Sequence, residues 1–288
     1  MTTHLLGKLL REASAYLQEQ QVDSPQLSAE LLLAQAGRLR RLDVLVRPEI
    51  ELDAEMAASF RELIRRRGQG EPVAYLLERK EFYGREFEVG PDVLIPRPET
   101  ELVVEKCKQL FPSDAQLRMA DICAGSGNLA VTLCAEFPGA QCLMADISHQ
   151  ALQIACRNAS RHGVADRTQP VKQDFASALK PECVDLAVCN PPYISAEDYP
   201  ALDREVVEFE PRIALDGGKG GLETVRTAVR TIAVCLAPGG YLLMETGRDQ
   251  AGFTAEEMKF PGTGWQSVRI HTDLGGNDRL ISAQRVWL

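Results

Sequence analysis

The sequence lacks the features of membrane, metal-binding and disulfide-stabilised proteins. No run approaches the roughly 20 apolar residues that span a bilayer, and the first residues lack the pattern of a secretory signal. The 8 cysteines stand singly, without a C-x-x-C pair, and the 4 histidines are far apart. We therefore expect buried reduced thiols, no metal site and a cytoplasmic protein.

An excess of basic charge is also absent. The 288 residues include 32 Lys and Arg against 41 Asp and Glu, which gives a net charge of −9. Proteins that bind a phosphate backbone depend on clustered Lys and Arg, so we expect no stable nucleic-acid binding. Two arginine clusters, in 38–41 and 61–67, fit either solvated helix faces or a docking surface for a partner.

The sequence pattern divides the chain into three parts. Apolar residues recur at helical spacing up to about residue 70, which predicts a small helical domain over 1–72. Short runs rich in Tyr, Phe and Val, broken by Gly84 and Gly90, predict a β-hairpin linker over 73–95. The remaining residues, 96–288, form the largest part.

Strand-like and helix-like segments alternate in this last part. Apolar runs predict strands at 117–122, 141–146, 184–189 and 241–245, and helical spacing predicts helices at 128–136, 151–162 and 222–236. Such alternation indicates an α/β fold, Rossmann-like, with an open parallel sheet covered on both faces. In such a sheet ligands bind beyond the carboxyl ends of the strands.

A glycine-rich motif, DICAGSGN at 121–128, joins the first of these strands to the next helix. Gly125 and Gly127 allow a sharp turn and close approach to a ligand, which favours a cofactor loop over a plain structural turn. The pattern G-x-G-x-x-A also fits dinucleotide binding, so NAD(P) stays open. Asp121, directly before the loop, is typical of loops that hold the amino-acid end of S-adenosylmethionine.

Two further strand ends carry candidate cofactor contacts. Asp146 could accept hydrogen bonds from both ribose hydroxyls, or cap the following helix. Asp174 could accept from the adenine amine, and Phe175 could pack on the adenine ring or belong to the core.

The tetrapeptide NPPY at 190–193 directly follows the predicted strand at 184–189. Its two prolines stiffen the backbone, so the Asn190 side-chain oxygen and the Pro191 carbonyl could accept both N–H groups of a planar –NH₂. Pro192 continues the stiff segment, and Tyr193 could pack on the flat face of the substrate. A simple proline turn is the alternative.

Several stretches together resemble the HemK/PrmC family of protein-(glutamine-N5) methyltransferases. They are EPVAYL at 71–76, EFYG at 81–84, LIPRPETE at 94–101, DICAGSG at 121–127, NPPY at 190–193 and EFEP at 208–211. The tetrapeptide alone also occurs in adenine and guanine N-methyltransferases. The linker and R-P-E-T stretches therefore make the resemblance specific.

The resemblance implies S-adenosylmethionine as cofactor and, as substrate, the glutamine of the Gly-Gly-Gln motif in class-1 peptide chain release factors. It implies cofactor contacts at Cys123, Ala124, Gly125, Ser126 and Gly127, and also at Asp146, Phe175 and Asn190. Substrate contacts fall on 190–193. Cys123 and Glu78 depart from the family, which commonly has glycine at both positions.

Two other functions compete with this one. An enzyme that flips out adenine could present N6 to the same tetrapeptide, although the acidic charge argues against it. A cofactor-binding regulator without catalysis would not need the complete tetrapeptide.

Overall fold

The structure, a computed structural model, describes residues 4–286. The strands in chain order are β1 (His4–Leu5), β2 (Glu51–Leu52), β3 (Arg79–Phe82), β4 (Arg85–Glu88), β5 (Arg118–Ile122), β6 (Gln141–Asp146), β7 (Thr168–Lys172), β8 (Val184–Cys189), β9 (Leu236–Glu245), β10 (Trp265–Thr272) and β11 (Asp278–Arg285). The helices are α1 (Leu6–Glu19), α2 (Pro25–Ala36), α3 (Arg41–Val46), α4 (Ala54–Gly68), α5 (Val73–Leu76), α6 (Glu101–Leu110), α7 (Asn128–Glu136), α8 (His149–Arg161), α9 (Arg204–Phe209), α10 (Glu223–Cys235) and α11 (Ala251–Lys259). Within 4–286 no helix has both the length and the apolar character needed to cross a bilayer.

The chain divides into two compact units. One runs from the amino terminus to Arg79 and also includes Asp203–Phe209, and the other comprises Lys80–Leu202 and Glu210–Leu288. The first unit is helical, as the sequence predicts, with a core that includes Leu17, Leu32 and Phe60. The return of α9 to this unit was not predicted.

An arginine explains why α9 belongs to the first unit. Arg67 is only 4% exposed, and a buried guanidinium needs a partner for its charge. Its Nη1 lies 2.7 Å from the Glu205 carboxylate of α9 and 3.0 Å from the Glu71 carbonyl oxygen. The ion pair joins residues 138 positions apart in sequence.

The segment expected to be a hairpin begins with a helix instead. Residues 73–76 form α5, because Pro72 has a φ of −59° and its carbonyl accepts from the Tyr75 and Leu76 amides. The hairpin itself is β3 and β4, joined by Tyr83 and Gly84.

The second unit contains a seven-stranded sheet in the order β10-β11-β9-β8-β5-β6-β7. The five strands from β9 to β7 are parallel, which confirms the Rossmann-like fold. The expectation of a wholly parallel sheet is wrong at one edge, where β11 runs antiparallel to both β9 and β10. The short connection between β10 and β11 allows only a hairpin, since a parallel return needs a long crossover.

Both faces of the sheet are covered. Alternate strand residues point to opposite sides, so Met119 and Leu186 join one core cluster while Ala120 and Ala187 join the other. Helices α6, α7 and α8 contribute to the first cluster, and α10 and α11 to the second.

Register places three strand ends together. Ile122 at the end of β5 is paired with Ala145 of β6 on one side and with Cys189 of β8 on the other. Chain order reverses at β5, and this is where open α/β sheets bind ligands. The loops after β5, β6 and β8 therefore share one edge.

Glu78 provides a test of backbone strain in the first unit. Its φ is +56°, a conformation that costs a side chain with a Cβ roughly 1–2 kcal/mol. Glycine removes that cost but loses about 0.5–1 kcal/mol through unfolded-state entropy. We expect Glu78→Gly to raise the free energy of unfolding by about 0.5–1 kcal/mol, measured by urea titration with circular dichroism. Glu78→Ala keeps the Cβ and should give no gain, so equal stabilisation by both variants would contradict the explanation.

Candidate active site

The loop after β5 passes through left-handed backbone at three residues. The φ angles are +63° at Cys123, +53° at Gly125 and +75° at Gly127. A Cβ at Gly127 would lie 2.9 Å from the Ala155 Cβ, so glycine lets the loop pack against α8. A Cβ at Gly125 would meet no atom within 4 Å. Cys123 holds a conformation that glycine adopts easily, so its Cβ adds backbone strain at this position.

Asp121 is a buried carboxylate below this loop. It is 1% exposed, and its Oδ2 accepts from the Ala130 amide of α7 at 2.9 Å. The pKa of Asp121 is raised to about 7, chiefly by burial; the Ala130 amide opposes this rise, and the nearby charge of Asp146 contributes to it. A cation at this end of the site would favour the ionised form.

Asp146 connects two loops at the end of β6. Its Oδ2 accepts from the Gly125 amide at 2.9 Å and its Oδ1 from the Ser148 amide at 2.8 Å. Each oxygen keeps a further lone pair for a ligand. Burial raises the pKa of Asp146, and the two amides lower it. The side chain that caps α8 is that of Ser148, which accepts from the Ala151 amide.

These groups border a cavity of about 500 Å³, a size typical of small-molecule sites. The predicted site residues that line it are Cys123, Ala124, Gly125, Ser126, Asp146, Asp174, Phe175, Asn190 and Pro192. Gly127, Pro191 and Tyr193 are not among the lining residues. The cavity wall also includes residues to which the sequence interpretation assigned no role, such as Arg97, Thr100, Ile147, Gln173 and Thr224.

One end of the cavity combines apolar walls with a side-chain N–H donor that has no partner among residues 4–286. Phe175 is half-buried, and Ile147, 46% exposed, directly follows Asp146. The Gln173 Oε1 accepts from the Ala178 amide at 2.8 Å. Its Nε2 is buried and has no partner among residues 4–286. A ligand with a flat ring and a nitrogen acceptor, such as adenine, would satisfy this donor.

The carbonyls of the tetrapeptide differ in whether they accept a hydrogen bond. The Pro192 carbonyl accepts from the Thr224 hydroxyl, and the Tyr193 carbonyl accepts from Gln250 Nε2 at 2.7 Å. The Asn190 Nδ2 donates to Thr100 Oγ1 at 3.4 Å. Within the described part of the chain, neither Asn190 Oδ1 nor the Pro191 carbonyl takes part in a hydrogen bond. Both acceptors singled out from the sequence are therefore without a partner among residues 4–286.

A buried carboxylate lies behind the tetrapeptide. Glu245, at the end of β9, is 3% exposed and accepts from the hydroxyls of Thr100 at 2.6 Å and Tyr193 at 3.1 Å. Burial raises the pKa of the Tyr193 hydroxyl, so it stays protonated and can donate. Sequence reasoning missed Glu245, because nothing near it in sequence marks it as part of the site.

Two of the resembling stretches meet beside the cavity. Glu210, from EFEP, is 5% exposed and accepts from the Ile95 amide at 3.0 Å while pairing with Arg97 of the LIPRPETE stretch. This contact joins residues more than a hundred positions apart and holds Arg97 at the cavity wall.

Comparisons with known proteins agree with this architecture. Residues 8–77 match the family model of the PrmC N-terminal domain, and residues 99–245 match that of the methyltransferase small domain. Among solved structures, a ribosomal protein L11 methylase from Lactobacillus delbrueckii subsp. bulgaricus has a TM-score of 0.51 at 15% identity, over 72% of this chain and 90% of that chain. That likeness supports the fold alone.

Curated relatives extend over nearly the whole chain. A release factor glutamine methyltransferase from Nitratidesulfovibrio vulgaris is 44% identical over 286 residues, 99% of this chain and 97% of the relative. One from Geobacter sulfurreducens is 39% identical over 279 residues, 97% of this chain and 96% of the relative. Identity of this extent includes both the helical part and the sheet domain, and so the chain belongs to the family of release factor glutamine methyltransferases.

Proposed function

We propose that the protein transfers a methyl group from S-adenosylmethionine to the side-chain amide nitrogen of the glutamine in the Gly-Gly-Gln motif of class-1 peptide chain release factors, in the cytoplasm. Family membership supports the reaction and the substrate. The observation that carries the proposal is the pair of unengaged acceptors, Asn190 Oδ1 and the Pro191 carbonyl. A planar –NH₂ presents two donors to such a pair.

The cavity suits the adenosyl cofactor better than NAD(P), the alternative that the glycine loop left open. The family's reaction requires a methyl donor. Asp121 offers negative charge to the ammonium of the amino-acid end, Asp146 offers lone pairs to the ribose, and Gln173 offers its donor to the adenine. We propose Cys123 to Gly127, Asp174 and Phe175 as the remaining contacts, through the loop backbone and the adenine side of the cavity. When bound, the cofactor supplies an electrophilic methyl group on a sulfonium.

The chain's contribution to the reaction is to orient a poor nucleophile. An amide nitrogen has its lone pair delocalised into the carbonyl. Asn190 Oδ1 and the Pro191 carbonyl would each accept one of its N–H groups and so favour a pyramidal nitrogen with a directed lone pair. We propose that the Tyr193 ring packs against the substrate amide. The nitrogen gains the methyl group and loses one proton to solvent.

A radiolabelled methyl-transfer assay tests the proposal directly. Purified protein is incubated with labelled S-adenosylmethionine and, separately, with a class-1 release factor, a ribosomal protein mixture and DNA. We expect label on the release factor alone, and loss of that label when the motif glutamine is replaced by alanine. Transfer to DNA or to ribosomal protein, with none to the release factor, would refute the assignment.

The Asn190→Ala variant tests the role of the tetrapeptide. It removes a preorganised acceptor, so we expect methyl transfer to fall by about 10²–10³-fold. Cofactor affinity, measured by calorimetry, should stay within about threefold, since the loss falls on an interaction with the substrate. Turnover at the parent rate would rule out this role for Asn190.

Asp121 predicts a pH dependence of cofactor binding. Its pKa of about 7 means that a cationic ligand must displace a proton at lower pH. The fraction ionised rises from about one tenth to about nine tenths between pH 6 and pH 8, so we expect the affinity for S-adenosylmethionine to rise about tenfold. Asp121→Asn should bind as the parent does at pH 6 but more weakly at pH 8. Parallel pH profiles of the parent and the variant would show that Asp121 does not contribute.

A further inference from the structure

A chain of hydrogen bonds runs from the tetrapeptide into the core of the second unit. Asn190 Nδ2 lies 3.4 Å from Thr100 Oγ1, and Thr100 Oγ1 lies 2.6 Å from Glu245 Oε2. The other oxygen of the same carboxylate accepts from the Tyr193 hydroxyl at 3.1 Å. Thr100 and Glu245 are 2% and 3% exposed, so the contact between them is shielded from bulk solvent.

The donors and acceptors fix the direction of this chain. An amide –NH₂ can only donate, so the Thr100 oxygen accepts from Asn190. The Thr100 hydroxyl has a single proton, and the Glu245 carboxylate, 2.6 Å away, accepts it. Tyr193 donates to the second carboxylate oxygen. Burial raises the pKa of Glu245, while the two hydroxyl donors favour its ionised form.

This direction decides which end of the Asn190 amide faces the substrate. The oxygen and nitrogen ends of an asparagine have nearly the same shape, so packing alone does not distinguish them. If the amide were rotated by 180°, its N–H groups would oppose those of the substrate and the acceptor would be lost. Thr100 Oγ1 can accept a hydrogen bond from Asn190 but has no proton left to donate. It therefore selects the orientation in which Asn190 Nδ2 faces Thr100 and the Asn190 oxygen faces the substrate.

We propose that Thr100, held by Glu245, is a positioning residue that keeps the Asn190 oxygen directed at the substrate amide. The inference rests on the proposed function, because it assigns a role in that reaction. The same carboxylate holds the Tyr193 hydroxyl, so Glu245 fixes both ends of the tetrapeptide. The three contacts join positions 90, 145 and 52 residues apart, which no local sequence pattern would reveal.

A structural anchor is the competing explanation. Thr100 directly precedes α6, and its bond to Glu245 could simply hold the start of that helix against the sheet. An anchor would affect stability and cofactor binding, and its loss would slow the reaction whatever residue occupied position 190. An orienting residue acts only while Asn190 is present. The two explanations therefore differ in whether the effects of the substitutions add.

The test is a double-mutant cycle between Thr100→Val and Asn190→Ala, with Thr100→Ser as the matched control. Valine keeps the shape of threonine without the hydroxyl, and serine keeps the hydroxyl. Single-turnover methylation of a release factor at saturating cofactor measures the chemical step over about four decades of rate. Melting temperature and cofactor affinity are measured for every variant.

We expect Thr100→Val to lower the maximal single-turnover rate by about tenfold with the half-saturating concentration of release factor unchanged, corresponding to the loss of one oriented hydrogen bond. Thr100→Ser should stay within about threefold of the parent. In the Asn190→Ala background, Thr100→Val should cause no further loss. A parent rate for Thr100→Val, or the same tenfold loss in both backgrounds, would overturn the proposal.

Two controls keep the outcome interpretable. If Thr100→Val lowers the melting temperature markedly, Thr100→Ala takes its place and is judged by the same non-additivity. If the parent protein does not methylate the release factor, the proposed function itself fails. If the parent does so and the cycle is additive, only the role of Thr100 fails.

Discussion

The register between β5 and its two neighbours is the constraint on which the site depends. Ile122 is paired with Ala145 and with Cys189, so the loops that follow all three strands begin at one level. Parallel pairing lets segments distant in sequence deliver carboxylates, a glycine loop and an asparagine to the same edge. A shift of one residue would reverse which side chains face the helices, and two buried core clusters oppose such a shift.

Buried carboxylates organise the loops around this edge. Asp121, Glu210 and Glu245 are each at most 5% exposed, and burying such groups is unfavourable unless hydrogen bonds compensate. Each accepts from a group of another element: Asp121 from α7, Glu210 from the segment before α6, and Glu245 from Thr100. These carboxylates therefore tie the walls of the cavity together, and Asp121 can also respond to a cationic ligand.

The sequence predicted the elements and motifs that depend on residues close together in the chain. It did not reveal the features that depend on contacts between residues far apart in the chain. The glycine loop, Asp146 and the tetrapeptide each lie at the end of an apolar run that predicts a strand. Their positions therefore predicted that they share one edge of the sheet. Helix α7 and strands β6 and β8 have the predicted bounds. The return of α9 and the role of Glu245 depend on single contacts across many residues, and no periodicity encodes such contacts. The antiparallel edge formed by β10 and β11 escaped prediction because these strands had not been identified.

The backbone after β8 leaves one carbonyl of the tetrapeptide free. In a turn the Pro191 carbonyl would accept from the Ile194 amide three residues on, but that amide donates to the Leu215 carbonyl at 2.9 Å. Thr224 and Gln250 supply donors to the carbonyls of Pro192 and Tyr193, whereas the Pro191 carbonyl has no donor within residues 4–286. An unpaired backbone acceptor is normally unfavourable when buried. A substrate N–H would supply the donor that the Pro191 carbonyl lacks among residues 4–286.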